Sequence, residues 1–357
     1  MSFKRIVNDI KTIKVQGAEA VAEAAAKGIL LLARRNKTLR KDKLLKILSR
    51  GRDILLKTRP TEPCMWNVLN FLLKDLVLEH DVFNALLERF SYIRQHFNEV
   101  KEKVALFGSK KIKNGMVVFT HCHSSSVISV LLKAKEQGKE FEVFNTETRP
   151  LFQGRITAKE LAKAGIKVTM FIDAAARIAL KNADLMLIGA DAITVEGKVI
   201  NKIGSELLAI IADKYDVPVY SCTDSWKFDG KSIYGVPIEI ERRSEKEVWP
   251  NKPRNVLIEN PAFEKVDWKL ITGVVSELGI HRPEILVEEI KRVYPWIVRR
   301  WLSLFSFFLN LYTFLFYFFL FYFLSFFRFP FLYSSKFYFF FFLFLFYFFF
   351  QLFYFSF

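Results

Sequence analysis

Met116-Val117-Val118-Phe119-Thr120-His121-Cys122-His123-Ser124-Ser125-Ser126 is the stretch on which the reading of this chain turns. Val117, Val118 and Phe119 are apolar and strand-forming, and Thr120 closes the run. Three serines then open a second apolar run, Val127, Ile128, Val130, Leu131 and Leu132, at helical spacing. The pattern predicts a buried strand, a short polar turn and a helix. The turn delivers a thiol to the carboxyl end of the strand and the amino end of the helix. Backbone N–H groups and the helix dipole favour negative charge there, so Cys122 is expected to be biased toward thiolate. Ser124, Ser125 and Ser126 are natural helix caps and hydrogen-bond donors to a phosphate.

The same rhythm repeats downstream. Strand-like segments at 141–144, 168–172, 185–188 and 217–221 alternate with helix-like ones at 158–163, 174–180 and 204–213. A further strand-like segment lies near 236–240, another at 271–275, and a helix at 283–293. Repeated alternation predicts an α/β fold, a Rossmann-like parallel sheet with right-handed crossovers. No Gly-x-Gly-x-x-Gly follows the first strand, so no dinucleotide is expected, nor any other cofactor. Ligands of such sheets bind outside the carboxyl ends of the strands. Cys122, Glu147, Asp173, Asp191 and Asp224 fall near such ends. Asp173, which precedes three alanines, reads as the cap of the next helix.

Upstream, residues 1–105 read as helical. Alanine-rich 17–32, then 39–56, 68–78 and 82–100, carry apolar residues at helical spacing, and Thr58-Arg59-Pro60-Thr61 interrupts them. The predicted organisation is a helical domain at 1–105, a Rossmann-like catalytic domain at 106–296 and a tail at 297–357. The tail is a different material. Of the 39 phenylalanines in the chain, 26 lie from Trp301 onward, where Arg328 and Lys336 are the two charged residues. Its apolar runs, 301–327 and 337–357, are each long enough to span a bilayer. They read either as a membrane anchor or as thymine-rich DNA translated past a lost stop codon, since Phe, Tyr, Trp and some Leu and Ser codons begin with T.

The net charge is +16, and +14 without those two tail residues. A basic body suits a polyanionic partner. Its lysines are scattered rather than massed, which points to a phosphorylated small molecule and away from nucleic acid. Cys64, Cys122 and Cys222 have no paired spacing, which argues against a disulfide framework and for a reducing, cytoplasmic setting.

Several groups of residues carry chemistry. His121, Cys122 and His123 look like metal ligands, but strand alternation sends the cysteine to one face and the histidines to the other, so no metal is expected. Gly189-Ala190-Asp191 ends one strand. Asn201-Lys202-Ile203-Gly204-Ser205 precedes a helix whose amino end, with Lys202, suits a phosphate. Thr58-Arg59-Pro60 and Thr148-Arg149-Pro150 each hold an arginine in a proline-stiffened loop, a good phosphate fork. Lys227, after the 217–221 strand, is a candidate of the same kind.

Thr120-His121-Cys122-His123-Ser124, Thr146-Glu147-Thr148-Arg149-Pro150, Gln153-Gly154, Gly189-Ala190-Asp191 and Asn201-Lys202-Ile203-Gly204 together resemble one superfamily in order and spacing. It contains methylthioribose-1-phosphate isomerase, archaeal ribose-1,5-bisphosphate isomerase, and the alpha, beta and delta regulatory subunits of the exchange factor for eukaryotic translation initiation factor two. The resemblance spans roughly 10–295. It implies that Cys122 and Asp191 are the catalytic pair. It places substrate contacts on Gly17, Ala18, Arg59, Ser124, Ser125, Ser126, Asn201, Lys202 and Lys227. Possession of both Cys122 and Asp191 resembles the enzymes rather than the exchange-factor subunits. His123-Ser124 and the Lys227 segment look most like the ribose-1,5-bisphosphate isomerases of nucleotide salvage. The methylthioribose enzyme and a regulatory subunit that binds a sugar phosphate or nucleotide are the alternatives. Members of this superfamily look like dimers or higher oligomers. One departure stands out: where the bisphosphate isomerases read Arg-Gly-Ala-Gly, this chain reads Gln16-Gly17-Ala18-Glu19.

The implied chemistry has its own requirements. A sugar phosphorylated at C1 opens its ring only if the ring oxygen gains a proton, and isomerisation needs the C2 proton removed. One acid and one base are needed. A desolvated Asp191 suits the first role and Cys122 the second.

Overall fold

The computed structural model describes residues 2–298, so both readings of the tail lie outside the described residues. Residues 1–230 and 238–297 form one compact unit, which holds every side chain discussed below.

Five helices come first: α1 (Phe3–Lys11), α2 (Ala18–Arg35), α3 (Lys41–Leu56), α4 (Pro63–Leu73) and α5 (Val82–Ser109). Small residues on α2 and α3 allow close packing; a Cβ on Gly51 would lie 2.4 Å from Leu32 Cδ1. Helix α4 starts earlier than the apolar spacing predicts. Pro63 sits in its first turn, where a missing N–H costs nothing. Asp81 caps α5 by accepting from the N–H groups of Phe83 (2.9 Å) and Asn84 (3.0 Å).

The α/β region runs β1 (Val117–Thr120), α6 (Ser125–Glu136), β2 (Glu142–Thr146), α7 (Gln153–Lys163), β3 (Lys167–Phe171), α8 (Ala176–Leu180), β4 (Leu185–Ile188), β5 (Ala192–Ile193), β6 (Val199–Lys202), α9 (Ser205–Lys214), β7 (Val219–Cys222), β8 (Phe263–Val266), β9 (Gly273–Ser276), β10 (Gly279–His281) and α10 (Pro283–Val293). The main sheet has the order β10-β9-β7-β4-β1-β2-β3. Its pairs are parallel except β10 with β9. From β1 the chain steps outward to β2 and β3, then returns to place β4 on the other flank of β1. The order therefore reverses between β1 and β4, and the crevice at their carboxyl ends is where such sheets bind ligands. Val100 and Val104 of α5 join Val118, Val127, Ile128 and Leu131 in the core beside β1. Helix α5 comes so near α6 that a Cβ on Gly108 would lie 2.4 Å from Val130 Cγ2.

Two features depart from the sequence reading. The 189–204 stretch, where the sequence predicts no strand, contains β5 and β6, which pair antiparallel and join β8 in a three-stranded sheet. A short Gly197 turn between apolar pairs was the available hairpin signal. The strand expected near 236–240 does not form; only Arg242 bridges to Pro261. Among the described residues no helix is long and apolar enough to cross a membrane, and all three cysteines are free thiols.

Candidate active site

Cys122 lies two residues beyond β1 and two before Ser124, the cap of α6. Its φ is +69°, a conformation side chains rarely adopt. Two threonines hold it there: its N–H donates to Thr148 Oγ1 (2.9 Å), and Thr157 Oγ1 donates to its carbonyl (2.8 Å). The strand alternation thus stops before the His-Cys-His run, and the two histidines serve different neighbours. His121 Nε2 donates to the Ile203 carbonyl at 3.0 Å, which leaves Nδ1 to accept from Thr146 Oγ1 at 2.5 Å. That neutral tautomer agrees with burial, which lowers its pKa. His123 Nδ1 pairs with Thr157 at 3.1 Å. Both rings are structural supports.

Asp191 leaves β4, the strand beside β1. The two exits touch: a Cβ on Gly189 would lie 2.7 Å from Ser124 Oγ. The Asp191 N–H donates to the Ile200 carbonyl at 2.8 Å, which sets β6 and its buried Asn201 and Lys202 beside the carboxyl group. Asn201 Nδ2 donates to Ser205 Oγ (2.9 Å), and that hydroxyl donates to the Lys202 carbonyl (2.7 Å), tying the pair to the start of α9.

Lys227 reaches the same place from another direction. Its Nζ donates to the Ala190 carbonyl at 2.6 Å, one residue before Asp191. Asn67 of α4 holds the segment by donating to the carbonyls of Trp226 and Phe228, each at 2.8 Å. Asp224 accepts from Trp226 N–H at 2.8 Å and faces His96 Nε2 at 3.2 Å, and His96 stacks on the Trp226 ring at 3.9 Å. Glu277 accepts from the Ser225 backbone and hydroxyl. The buried His96–Asp224–Glu277 cluster is thus occupied in holding the lysine turn.

The two Thr-Arg-Pro copies separate. Arg59 is buried, pairing with Glu62 at 2.6 Å and Glu241 at 3.4 Å. Arg149 is exposed and donates to the Val248 carbonyl at 3.3 Å. Asp173 does not cap a helix as expected. Its carboxylate accepts from the backbone N–H groups of Thr148 (2.9 Å) and Arg149 (2.7 Å), because the β2–α7 loop folds across the start of its turn. Glu241 also holds Arg243 at 3.2 Å, and Arg243 and Lys202 share the Phe263 ring at 6.0 and 5.4 Å. At the start of α2, Gly17 takes a φ of +87° and leaves the first N–H groups of the helix free of a side-chain cap. Glu19 stands within electrostatic reach of Asp224 and Lys227; burial and Asp224 raise its pKa, and Lys227 opposes them.

Sequence reasoning missed Asn67, Glu62 and Arg243. An amide inside the apolar Pro63–Leu73 stretch, and a carboxylate just before it, were the legible signals for the first two. Arg243 offered none, since it lies in an irregular segment.

The charges do not behave as the strand-end argument expects. Burial pushes the Cys122 thiol up to about 11, against Lys202, the His123 backbone N–H and Arg243, with Asp191 adding to the rise. Cys122 precedes the helix cap rather than sitting in the first turn, so desolvation outweighs the dipole and the thiol is not biased toward thiolate. Burial also raises Asp191, against the pull of Lys227, Lys202, Arg59 and Arg243. Burial lowers Lys202, which Cys122 and Asp191 partly restore.

The sequence profile of the initiation factor 2 subunit family matches residues 14–283. The chain belongs to that family. The ribose 1,5-bisphosphate isomerase of Methanocaldococcus jannaschii is 35% identical over 297 residues, 83% of this chain and 96% of that protein. Among solved structures of this family, the translation initiation factor eIF-2B of Pyrococcus horikoshii superposes with a TM-score of 0.71 at 28% identity, covering 80% of this chain and 98% of that one. The 5-methylthioribose 1-phosphate isomerase of the same organism gives 0.68 at 27% identity, covering 82% and 88%. The helical region followed by a Rossmann-like sheet is thus the architecture of the family.

Proposed function

We propose that this family member is an aldose–ketose isomerase that converts ribose 1,5-bisphosphate to ribulose 1,5-bisphosphate in nucleotide salvage. The observation that carries the reading is the meeting of Cys122 and Asp191 at the exits of adjacent β1 and β4, with Arg59, Lys202 and Lys227 around them. Identity to the Methanocaldococcus enzyme over nearly its whole length supports it.

In this mechanism Asp191, kept protonated by desolvation, gives its proton to the ring oxygen as the C1–O bond breaks. Cys122 takes the C2 proton, leaving an enol phosphate. The C2 hydroxyl then loses its proton while C1 gains one, which gives the 2-ketose. The ionised thiol is a minority form in the free site, but a base of high pKa is strong where it is present. Lys202, Asn201 and the Ser124–Ser126 turn hold one phosphate. Arg59, Lys227 and the Gly17–Ala18 helix start hold the other. The protein assembles as a homo-oligomer, a dimer or larger, which light scattering tests.

A second reading has one observation in its favour. Gln16 stands where an arginine is usual, and Glu19 and Glu62 add acid near Arg59 and Lys227. A less cationic pocket suits a sugar with a single phosphate, such as 5-methylthioribose 1-phosphate. Incubating the protein with each of the two sugars and assaying for ketose separates the readings. Ligand binding without turnover of either would assign the chain to the regulatory side of the family instead.

A further inference from the structure

Arg59 and Glu62 form a buried ion pair at the entrance to α4. Arg59 Nη2 donates to Glu62 Oε1 at 2.6 Å, and the two residues are 6% and 3% exposed. The second carboxylate oxygen, Oε2, is buried and finds no hydrogen-bond partner among the described residues. Buried carboxylates ordinarily fill their acceptor sites, because an empty one loses its hydration for nothing. Here the empty oxygen belongs to the residue that already holds the guanidinium assigned to a phosphate.

The charged groups facing Glu62 are Arg59, Asp191, Lys227 and Glu241, two cations against two carboxyl groups. Burial outweighs Arg59, and Glu62 is pushed up to about 7. A phosphate arriving at Arg59 brings a third source of negative charge into this group. Like charges held close in the interior repel strongly. Protonating a group that titrates near 7 costs only about fourfold in affinity at pH 7.5. Neutralisation is therefore the cheaper outcome.

We propose that Glu62 is the proton-accepting counter-ion of the substrate phosphate: when the phosphate takes Arg59, Glu62 releases the guanidinium and binds a proton on Oε2. The proton comes from solvent and forms one O–H bond; the N–H groups freed from Glu62 turn to the phosphate oxygens. The inference rests on the assignment of Arg59 as a phosphate contact made under the proposed function. It explains why an uncompensated oxygen persists at the clamp, and it makes the site sensitive to pH near neutrality. The form that binds is the protonated one, so affinity falls about tenfold per unit as pH rises above the Glu62 pKa. Ionisation of the sugar phosphates, whose second pKa is about 6, is nearly complete by pH 7.5 and acts in the opposite direction below it.

The test is calorimetric titration with ribulose 1,5-bisphosphate and, separately, inorganic phosphate, at pH 7.5–8.5 in buffers of different ionisation heat. The parent protein is expected to take up close to one proton per ribulose 1,5-bisphosphate bound. Glu62→Gln, which keeps the shape and an acceptor for Arg59, is expected to take up none through this group and to bind more tightly at pH 8.5. Lys202, Asp191 and Cys122 are common to both proteins, so the difference isolates Glu62. Zero uptake in the parent, or equal uptake in the two proteins, overturns the inference and leaves the isomerase reading standing. Absence of binding to the parent from pH 6 to 8 overturns both. Should Glu62→Gln not fold, Glu62→Asp retracts the carboxyl group by one methylene, and its midpoint of affinity against pH must move; an unmoved midpoint overturns the inference.

Discussion

Gly189 and Ser124 are packed so tightly that the smallest side chain at 189 would lie 2.7 Å from the Ser124 hydroxyl and 2.8 Å from its Cβ. This is where the exit of β4 meets the turn after β1, and so where Asp191 is brought to Cys122. Gly189→Ala should cost about 1–3 kcal/mol, the usual range for overpacking. It should lower kcat more than tenfold by pushing the two exits apart. Ser124→Gly removes the obstructing atoms at the small cost of a weaker helix cap, and the double variant should regain most of the lost stability and kcat, with KM raised by the missing Ser124 hydroxyl. Denaturant unfolding and steady-state kinetics read both effects; an unaltered Gly189→Ala enzyme would refute the claim.

Asn67 anchors the lysine turn from the helical region. Asn67→Ala leaves the Trp226 and Phe228 carbonyls without their donor. The expected cost is about 1–3 kcal/mol for buried groups left unsatisfied. Because Lys227 rides on that turn, KM should rise more than kcat falls. A variant that loses stability with KM unchanged would show that the clamp serves folding alone.

On the proposed mechanism, Cys122→Ser replaces the base with a hydroxyl whose proton is far harder to remove, and Asp191→Asn cannot protonate the ring oxygen. Each should abolish turnover by orders of magnitude while sugar-phosphate binding stays near the parent value, since Arg59 and Lys202 are untouched. The losses should not multiply in the double variant, because residues that act as one unit are non-additive. An active Cys122→Ser protein would sink the mechanism.

The thiol supplies a pH prediction. With Cys122 pushed up to about 11, the ionised fraction grows about tenfold per pH unit through neutrality and on to that value. Alkylation of Cys122 should keep accelerating between pH 8 and 10 rather than level off near 9. In the parent, with Asp191 held protonated by burial, kcat/KM should rise with the thiolate and level off where Asp191 itself begins to ionise. In Asp191→Asn the residual activity should rise with pH without that levelling, because only the thiol then titrates. Alkylation that saturates by pH 8 would restore the low-pKa thiolate and shift the cause to the helix end.

Much of this was written in local sequence. The valines and phenylalanine before Thr120, and the repeated apolar runs that follow, specify strands and helices by side-chain periodicity, which depends on neighbours within a few residues. Cys122, Asp191, Asn201 and Lys202 could be named because they sit at fixed offsets from those runs. The small sheet of β5, β6 and β8 was harder to see, since β5 has two residues and β8 begins 61 positions after the end of β6. Short pairings owe their stability to distant partners, which periodicity does not record.

Tertiary structure set the surroundings of two identical motifs apart. Thr58-Arg59-Pro60 and Thr148-Arg149-Pro150 are equivalent as text. Only the first is covered by α4 and the Glu241 segment, so Arg59 is desolvated and paired while Arg149 faces solvent. The protonation of Cys122 is also tertiary. Sequence places the thiol near a helix start, a local cue for negative charge, but the surrounding protein half-buries it, and desolvation is the larger effect. Glu62 is the same case in reverse: beside an arginine it reads as an ordinary ion pair, and burial, with Asp191 and Glu241 adding to it, brings its proton affinity to neutrality. Composition and spacing determined the elements and the residue types. The dielectric around each charged group, which sets what those residues can do, comes from packing between segments far apart in the chain.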